Sequence, residues 1–126
     1  MKDQINRPGR KWILIVEDDP NISKAIQLAL ELEGYSSLAA PNGKIGINIL
    51  DSEPLPSVIF LDLMMPVMDG IQFMAEVSKN AAFSKIPVVL VTAFTEKAGQ
   101  ISGIAGVIKK PINIDSLLEF AQKYCA

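Results

Sequence analysis

The chain has 126 residues, 49% hydrophobic and 21% charged, which suits one compact domain and excludes intrinsic disorder. Its formal net charge is −2, with one cysteine and no histidine, so bulk charge gives no support for nucleic-acid binding, and a disulfide framework and any site built on imidazole are excluded. No apolar run approaches the ~18 residues of a membrane span, and Met1–Trp12 lacks a signal-peptide core, so a cytoplasmic protein without membrane insertion is expected.

Residues 1–11 read as a solvated N-terminal tail, basic through Lys2, Arg7, Arg10 and Lys11 against Asp3, and residues 12–126 as the domain. Trp12 opens the first strand at the core edge. Ile13-Leu14-Ile15-Val16 is continuously apolar, the pattern of a strand covered on both faces. Ile22, Ala25, Ile26, Ala29 and Leu30 then follow the helical period. They predict a helix over 20–33, with Asp19 as cap, Pro20 in the first turn and Gly34 as its end. Tyr35–Ala39 is a weaker strand, and 43–51 a helix. Val58-Ile59-Phe60-Leu61 repeats the buried-strand pattern and leads to a helix over 69–80, whose Gly70 relieves crowding beside the acidic pocket. Val88-Val89-Leu90-Val91 is the fourth strand. Gly99 and Gly103 fall in the next segment, so a helix between 94 and 104 should be short, shifted or irregular. Ala105–Ile108 is the fifth strand. Ile114, Leu117, Leu118, Ala121 and Cys125 form the inward stripe of a last helix capped by Asn113, with Cys125 core-facing or at a frayed end. Five β-α units with right-handed crossovers predict an α/β domain, a doubly wound, five-stranded parallel sheet in a flavodoxin-like three-layer sandwich, a fold class whose strand order is 2-1-3-4-5.

Sites in such sheets form at the carboxyl ends of the strands. There Glu17-Asp18-Asp19 follows the first run, Asp62 the third and Thr92 the fourth, while the fifth ends in Lys109-Lys110-Pro111. Clustered carboxylates raise one another's pKa unless a cation is present, and an all-oxygen acidic set suits a hard ion such as Mg2+. A metal, a lysine and a hydroxyl around a carboxylate nucleophile form a constellation for phosphoryl transfer. The chain has neither G-x-x-x-x-G-K-[ST] nor G-x-G-x-x-G. An aspartyl phosphatase of the haloacid dehalogenase type needs a second Asp two positions after the nucleophile, and Met64 stands there. Met64, Met65 and Met68 read as loop and helix-start packing rather than a metal-binding patch. Asp19 is assigned to the helix cap.

These residues resemble the receiver domains of two-component response regulators. The similarity spans about residues 11–125 and is strongest in Phe60-Leu61-Asp62-Leu63-Met64-Met65-Pro66-Val67-Met68-Asp69-Gly70. Ile13-Leu14-Ile15-Val16-Glu17-Asp18-Asp19-Pro20, Val91-Thr92-Ala93 and Ile108-Lys109-Lys110-Pro111 complete the set in the family's order. The resemblance implies a phosphoprotein of a two-component system or phosphorelay. Asp62 is then the phosphoacceptor, served by a histidine kinase or a histidine phosphotransfer protein. Asp18, Asp62 and the backbone carbonyl of Met64 would ligate Mg2+, with Glu17 acting through water. Thr92 and Lys110 would hold the phosphoryl oxygens. Lys110 is chosen over Lys109 because it precedes Pro111, as in the family, and because a strand end points only one of two neighbours at the site. Pro111 is expected after a cis peptide.

Such a domain is not an enzyme in its own right; it promotes its own phosphotransfer and slow autodephosphorylation. No output domain follows Ala126, so the signal is expected to leave through contacts with an unidentified downstream protein, unless the chain is a piece of a longer one. A monomer or weak dimer that does not touch nucleic acid directly is expected. The second reading, a receiver-like interaction module independent of phosphate, is opposed by the intact acidic, threonine and lysine set. Two features depart from the family. Val107 stands where an aromatic residue is usual, and the stretch from Thr92 to Lys110 is short. Both touch the readout surface rather than the chemistry, which makes residues 94–106 the expected mobile element.

Overall fold

The computed structural model describes residues 11–126, so the tail assigned to residues 1–11 lies outside the described residues except for Lys11. The Lys11 ammonium donates to the Ala126 carbonyl. Strand β1 (Trp12–Val16) exposes nothing. Apolar on both sides, it sits inside a sheet, parallel to β2 (Ser36–Ala40) on one side and β3 (Val58–Leu61) on the other. With β4 (Val88–Thr92) and β5 (Gly106–Lys109) the order is β2-β1-β3-β4-β5, all parallel, as the sequence predicts.

The two faces of the sheet bury separate cores. Leu14 and Val16 face Leu50 of α2 (Gly43–Ser52), Phe73 and Val77 of α3 (Gly70–Ser78), and Ala98 of α4 (Thr95–Ala98). Ile13 and Ile15 face Ile26 and Leu30 of α1 (Pro20–Leu32), and Leu117 and Ala121 of α5 (Ile114–Cys125). Each fully buried large aliphatic side chain is worth roughly 1.5–3 kcal/mol, so the four residues Ile13–Val16 fix the centre of the sandwich.

Capping explains most boundary differences. The Asp19 carboxylate accepts the Asn21 N–H at 2.9 Å, and left-handed Gly34 (φ 86°) ends α1. There the Gly34 N–H bonds the Glu31 carbonyl and the Tyr35 N–H bonds the Leu30 carbonyl, both at 2.9 Å. Tyr35 therefore closes the helix instead of opening the strand, which runs Ser36–Ala40 rather than Tyr35–Ala39. Helix α3 starts at Gly70 rather than residue 69 because Asp69 and Gln72 form a reciprocal capping box. It ends at Ser78, and the Asn80 side chain then takes the N–H groups of Ala82 and Phe83 ahead of a 3-10 turn (Phe83–Lys85) that the sequence does not signal. Thr92 pairs with Lys109, extending β4 and β5 toward the carboxyl edge and displacing the expected Ala105–Ile108. The 94–104 helix shrinks to one turn.

Other placements differ in detail. Trp12 is fully buried rather than at the core edge, because its indole N–H donates to the Pro54 carbonyl at 2.9 Å and leaves no orphan donor. Ile114 lies outside the expected inward stripe, 39% exposed at the start of α5. Cys125 packs half-buried against the second core, and burial pushes its thiol pKa up. No helix among the described residues is long and apolar enough to cross a membrane.

Candidate functional site

Parallel pairing carries the carboxyl ends of the strands to one edge and continues one residue beyond them. The Glu17 N–H bonds the Ala40 carbonyl at 3.0 Å, the Asp62 N–H the Val16 carbonyl at 2.9 Å, and the Lys110 N–H the Thr92 carbonyl at 3.0 Å. Ladder hydrogen bonds thus place the backbones of Glu17, Asp62 and Lys110. Oxygen atoms of Glu17, Asp18 and Asp62 lie within 4.8 Å of one another. Glu17 and Asp62 are only 4% and 5% exposed, whereas Asp18 is open to solvent.

Lys110 enters this cluster and Lys109 stays exposed, as strand alternation requires. The Lys110 Nζ lies 2.8 Å from Glu17 Oε1 and 3.4 Å from Asp62 Oδ2. The other Glu17 oxygen accepts the Asp19 N–H at 3.1 Å, and Asp62 Oδ1 accepts the Met64 N–H at 3.4 Å. The Lys110–Pro111 peptide is cis. Glycine at 70 is required as the sequence suggests: a Cβ there would lie 2.6 Å from the Asp62 carbonyl oxygen and 2.8 Å from Leu63 Cα.

Burial raises the Glu17 pKa from 4.5 to about 7; the Asp62 charge adds to that, while the Lys110 and Asp19 hydrogen bonds oppose it. Burial alone would depress Lys110. The Glu17 hydrogen bond and the charges of Asp62 and Glu17 outweigh it, so its pKa lies above the usual lysine value and it stays cationic. Three carboxylates facing one ammonium leave the cluster short of positive charge. That imbalance and the all-oxygen donor set fit a hard divalent cation.

Thr92 is buried at the end of β4, but its hydroxyl is engaged in its own turn, accepting the Phe94 N–H at 3.0 Å. The structure therefore brings Glu17, Asp18, Asp62 and Lys110 together and leaves Thr92 on a separate local bond. Met64 departs from the packing reading. Its side chain is 48% exposed, because it stands on the turn that leaves Asp62, while Met65 and Met68 do pack on the first core. Two features escape sequence reasoning. Glu17 is the nearer partner of Lys110, a reach of the lysine side chain past the ends of β3 and β4 that no local spacing reveals. Gly43 bonds the Met68 carbonyl through its N–H at 3.0 Å, signalled only by a glycine after the capping Asn42.

A family model described as the response regulator receiver domain matches residues 13–122. PilH of Pseudomonas aeruginosa is 32% identical over 111 residues, which cover 85% of this chain and 91% of that protein. The transcriptional regulatory protein GlrR of Escherichia coli is 34% identical over 111 residues, but the match spans only 24% of its length. Among solved structures, the response regulator TrrA of Thermotoga maritima, in complex with Mg2+-BeF, is similar with a TM-score of 0.80 at 28% identity. That match covers 90% of this chain and 98% of TrrA.

Proposed function

Since the chain belongs to the response regulator receiver domain family of two-component systems, we propose that it is a phosphoacceptor switch with Asp62 as the phosphorylated residue. The observation that carries this reading is the buried Asp62 carboxylate held 3.4 Å from the Lys110 ammonium beside two further carboxylates. An Asp62 oxygen attacks the phosphorus of a phosphohistidine on a histidine kinase or histidine phosphotransfer protein. The P–N bond breaks, its electron pair leaves with the imidazole, and Asp62 becomes an acyl phosphate. Lys110 exchanges its Asp62 contact for a phosphoryl oxygen while Glu17 keeps the ammonium in place. For Thr92 to hydrogen-bond the phosphoryl group its hydroxyl must leave the Phe94 turn, which ties the chemistry to the start of the β4–β5 connection.

Asp18, Asp62 and the Met64 carbonyl would hold Mg2+, with Glu17 acting through water. Exposed Asp18 gives the site an open side suited to an ion that keeps several waters. When bound, the ion supplies positive charge to the phosphoryl oxygens. The complex of TrrA with Mg2+-BeF supports this by similarity. Met64, two residues past Asp62, offers no second carboxylate for turnover, so the acyl phosphate is lost slowly and serves as a signal. An apolar hollow of about 310 Å3, lined by Ile22, Ala25, Lys110, Pro111 and Ile112, lies directly beside the site and suits an apolar contact from the donor protein. The domain then works as a cytoplasmic monomer or weak dimer that passes its state to a downstream protein.

Incubation with acetyl phosphate and Mg2+, followed by intact-mass measurement, tests the reading. One base-labile phosphoryl group is expected on the wild type and none on Asp62→Asn or after chelation. Labelling of Asp62→Asn would refute the assignment, and a wild type that never labels would leave the phosphate-independent interaction module.

A further inference from the structure

The β3–α3 loop, residues 62–69, begins with the phosphoacceptor and contains the Met64 carbonyl, and it is gripped at its far end by a different helix. The Met68 N–H bonds the Pro66 carbonyl at 2.8 Å around Val67, whose φ of 68° is a left-handed conformation rare for a β-branched residue. The Met68 carbonyl meets the first residue of α2 and accepts the Gly43 N–H at 3.0 Å. That N–H is one of the donors that a helix start leaves without an intrahelical partner, so loop and helix satisfy each other. A Cβ at Gly43 would lie 2.8 Å from both the Met68 carbonyl oxygen and Met68 Cγ. Only glycine allows the loop to seat on α2 in this way.

We infer that Gly43 is a positioning residue for the metal and phosphoacceptor loop. Through Met68, the start of α2 fixes where the loop lies, and with it where the Met64 carbonyl stands relative to Asp18 and Asp62. The inference rests on the proposed role of those groups as Mg2+ ligands. Gly46 provides an internal control on the same helix. A Cβ there would also be tight, 3.0 Å from the Phe73 ring and 3.2 Å from Val16 Cγ2, but against the core rather than the loop. Alanine is a better helix former than glycine, so neither substitution harms α2 through propensity.

The test is the Mg2+ affinity of the full chain by titration calorimetry, with folding followed by circular dichroism. Gly43→Ala is expected to weaken binding about tenfold, the low end for losing outer support of a metal ligand, while Gly46→Ala stays within about twofold of wild type even where it melts earlier. Gly43→Ala combined with Met68→Ala removes the side-chain part of the overlap and keeps the carbonyl part. It should regain some affinity, and it carries the test if the single variant does not fold. Asp18→Ala separates the two levels of the argument. If wild type binds no Mg2+, or Asp18→Ala binds as well as wild type, the metal reading falls and the inference with it. If those two behave as expected but the Gly43 variants match wild type, or Gly46→Ala loses as much, the positioning role alone is overturned.

Discussion

The β3–α3 loop and the β4–β5 connection, residues 93–105, leave neighbouring strands at the same edge of the sheet, and they are built on opposite terms. The loop is tied by the Gly70 N–H to the Leu63 carbonyl at 2.9 Å and by the Gly43 N–H to the Met68 carbonyl, and it ends in a capping box. The connection holds one turn of helix. Helices α1, α2, α3 and α5 start on the side-chain caps Asp19, Asn42, Asp69 and Asn113, whereas α4 starts on Phe94 with no side-chain cap. Phe94 is 48% exposed, and a cleft of about 480 Å3 lined by Ile71, Met74, Ile86, Gln100 and Ile101 separates the connection from α3. The difference teaches that the place proposed to receive a phosphoryl group is fixed in advance. The place that would feel Thr92 move is held by few contacts and can rearrange cheaply.

Two glycines break this comparison most sharply. Gly70→Ala drives a methyl group into backbone at 2.6 Å and should cost about 3 kcal/mol, the upper range for overpacking, whereas Gly99→Ala meets only an ordinary contact at 3.5 Å and should be neutral or stabilising by up to about 1 kcal/mol. Urea unfolding of both variants checks this, and similar costs would erase the distinction.

The next effect is electrostatic and belongs to the fixed region alone. In the metal-free folded protein Glu17 keeps its proton to about pH 7, against 4.5 for the ordinary group. The folded state thus binds more protons between those values, so stability falls as pH rises through that window, by roughly 2–3 kcal/mol, and then levels off. Unfolding curves across pH 4 to 8 should show this slope in wild type and lose it in Glu17→Gln.

A smaller effect joins the two regions, because Met64 and Phe94 each stand two residues after Asp62 and Thr92 and both are about half exposed. Neither offers a hydrogen bond to an attacking water. Met64→Asn with Phe94→Glu is expected to speed phosphate loss roughly tenfold, below the ~100-fold of a fully positioned acid–base group. Decay of the phosphoprotein after donor removal measures it, and unchanged decay would show that neither side chain guards the site.

Much of the fixed region was legible in the sequence for a physical reason. Strand ends are marked by abrupt changes from apolar runs to Glu17, Asp62 and Lys110, and parallel topology then forces those ends together. Helix starts were legible where a cap residue carries them, as at Asp19 and Asn113. Boundaries set by reciprocal or long-range bonds were not. Tyr35 is claimed by α1 and Asp69 by its box with Gln72, while at Gly43 the helix start was legible and its bond to the Met68 carbonyl, far along the chain, was not. The connection after Thr92 was legible only as weakness, since Gly99 and Gly103 show that a helix is poor there and not what replaces it.

Hydrogen exchange with and without Mg2+ and beryllofluoride tests most directly the claim that a fixed receiving site drives a loosely held readout. Protection is expected to change in residues 94–106, as the Thr92 hydroxyl leaves the Phe94 N–H, with little change in the strands at 13–16 and 58–61. Equal protection of 94–106 in both states, or a change confined to the β3–α3 loop, would contradict it.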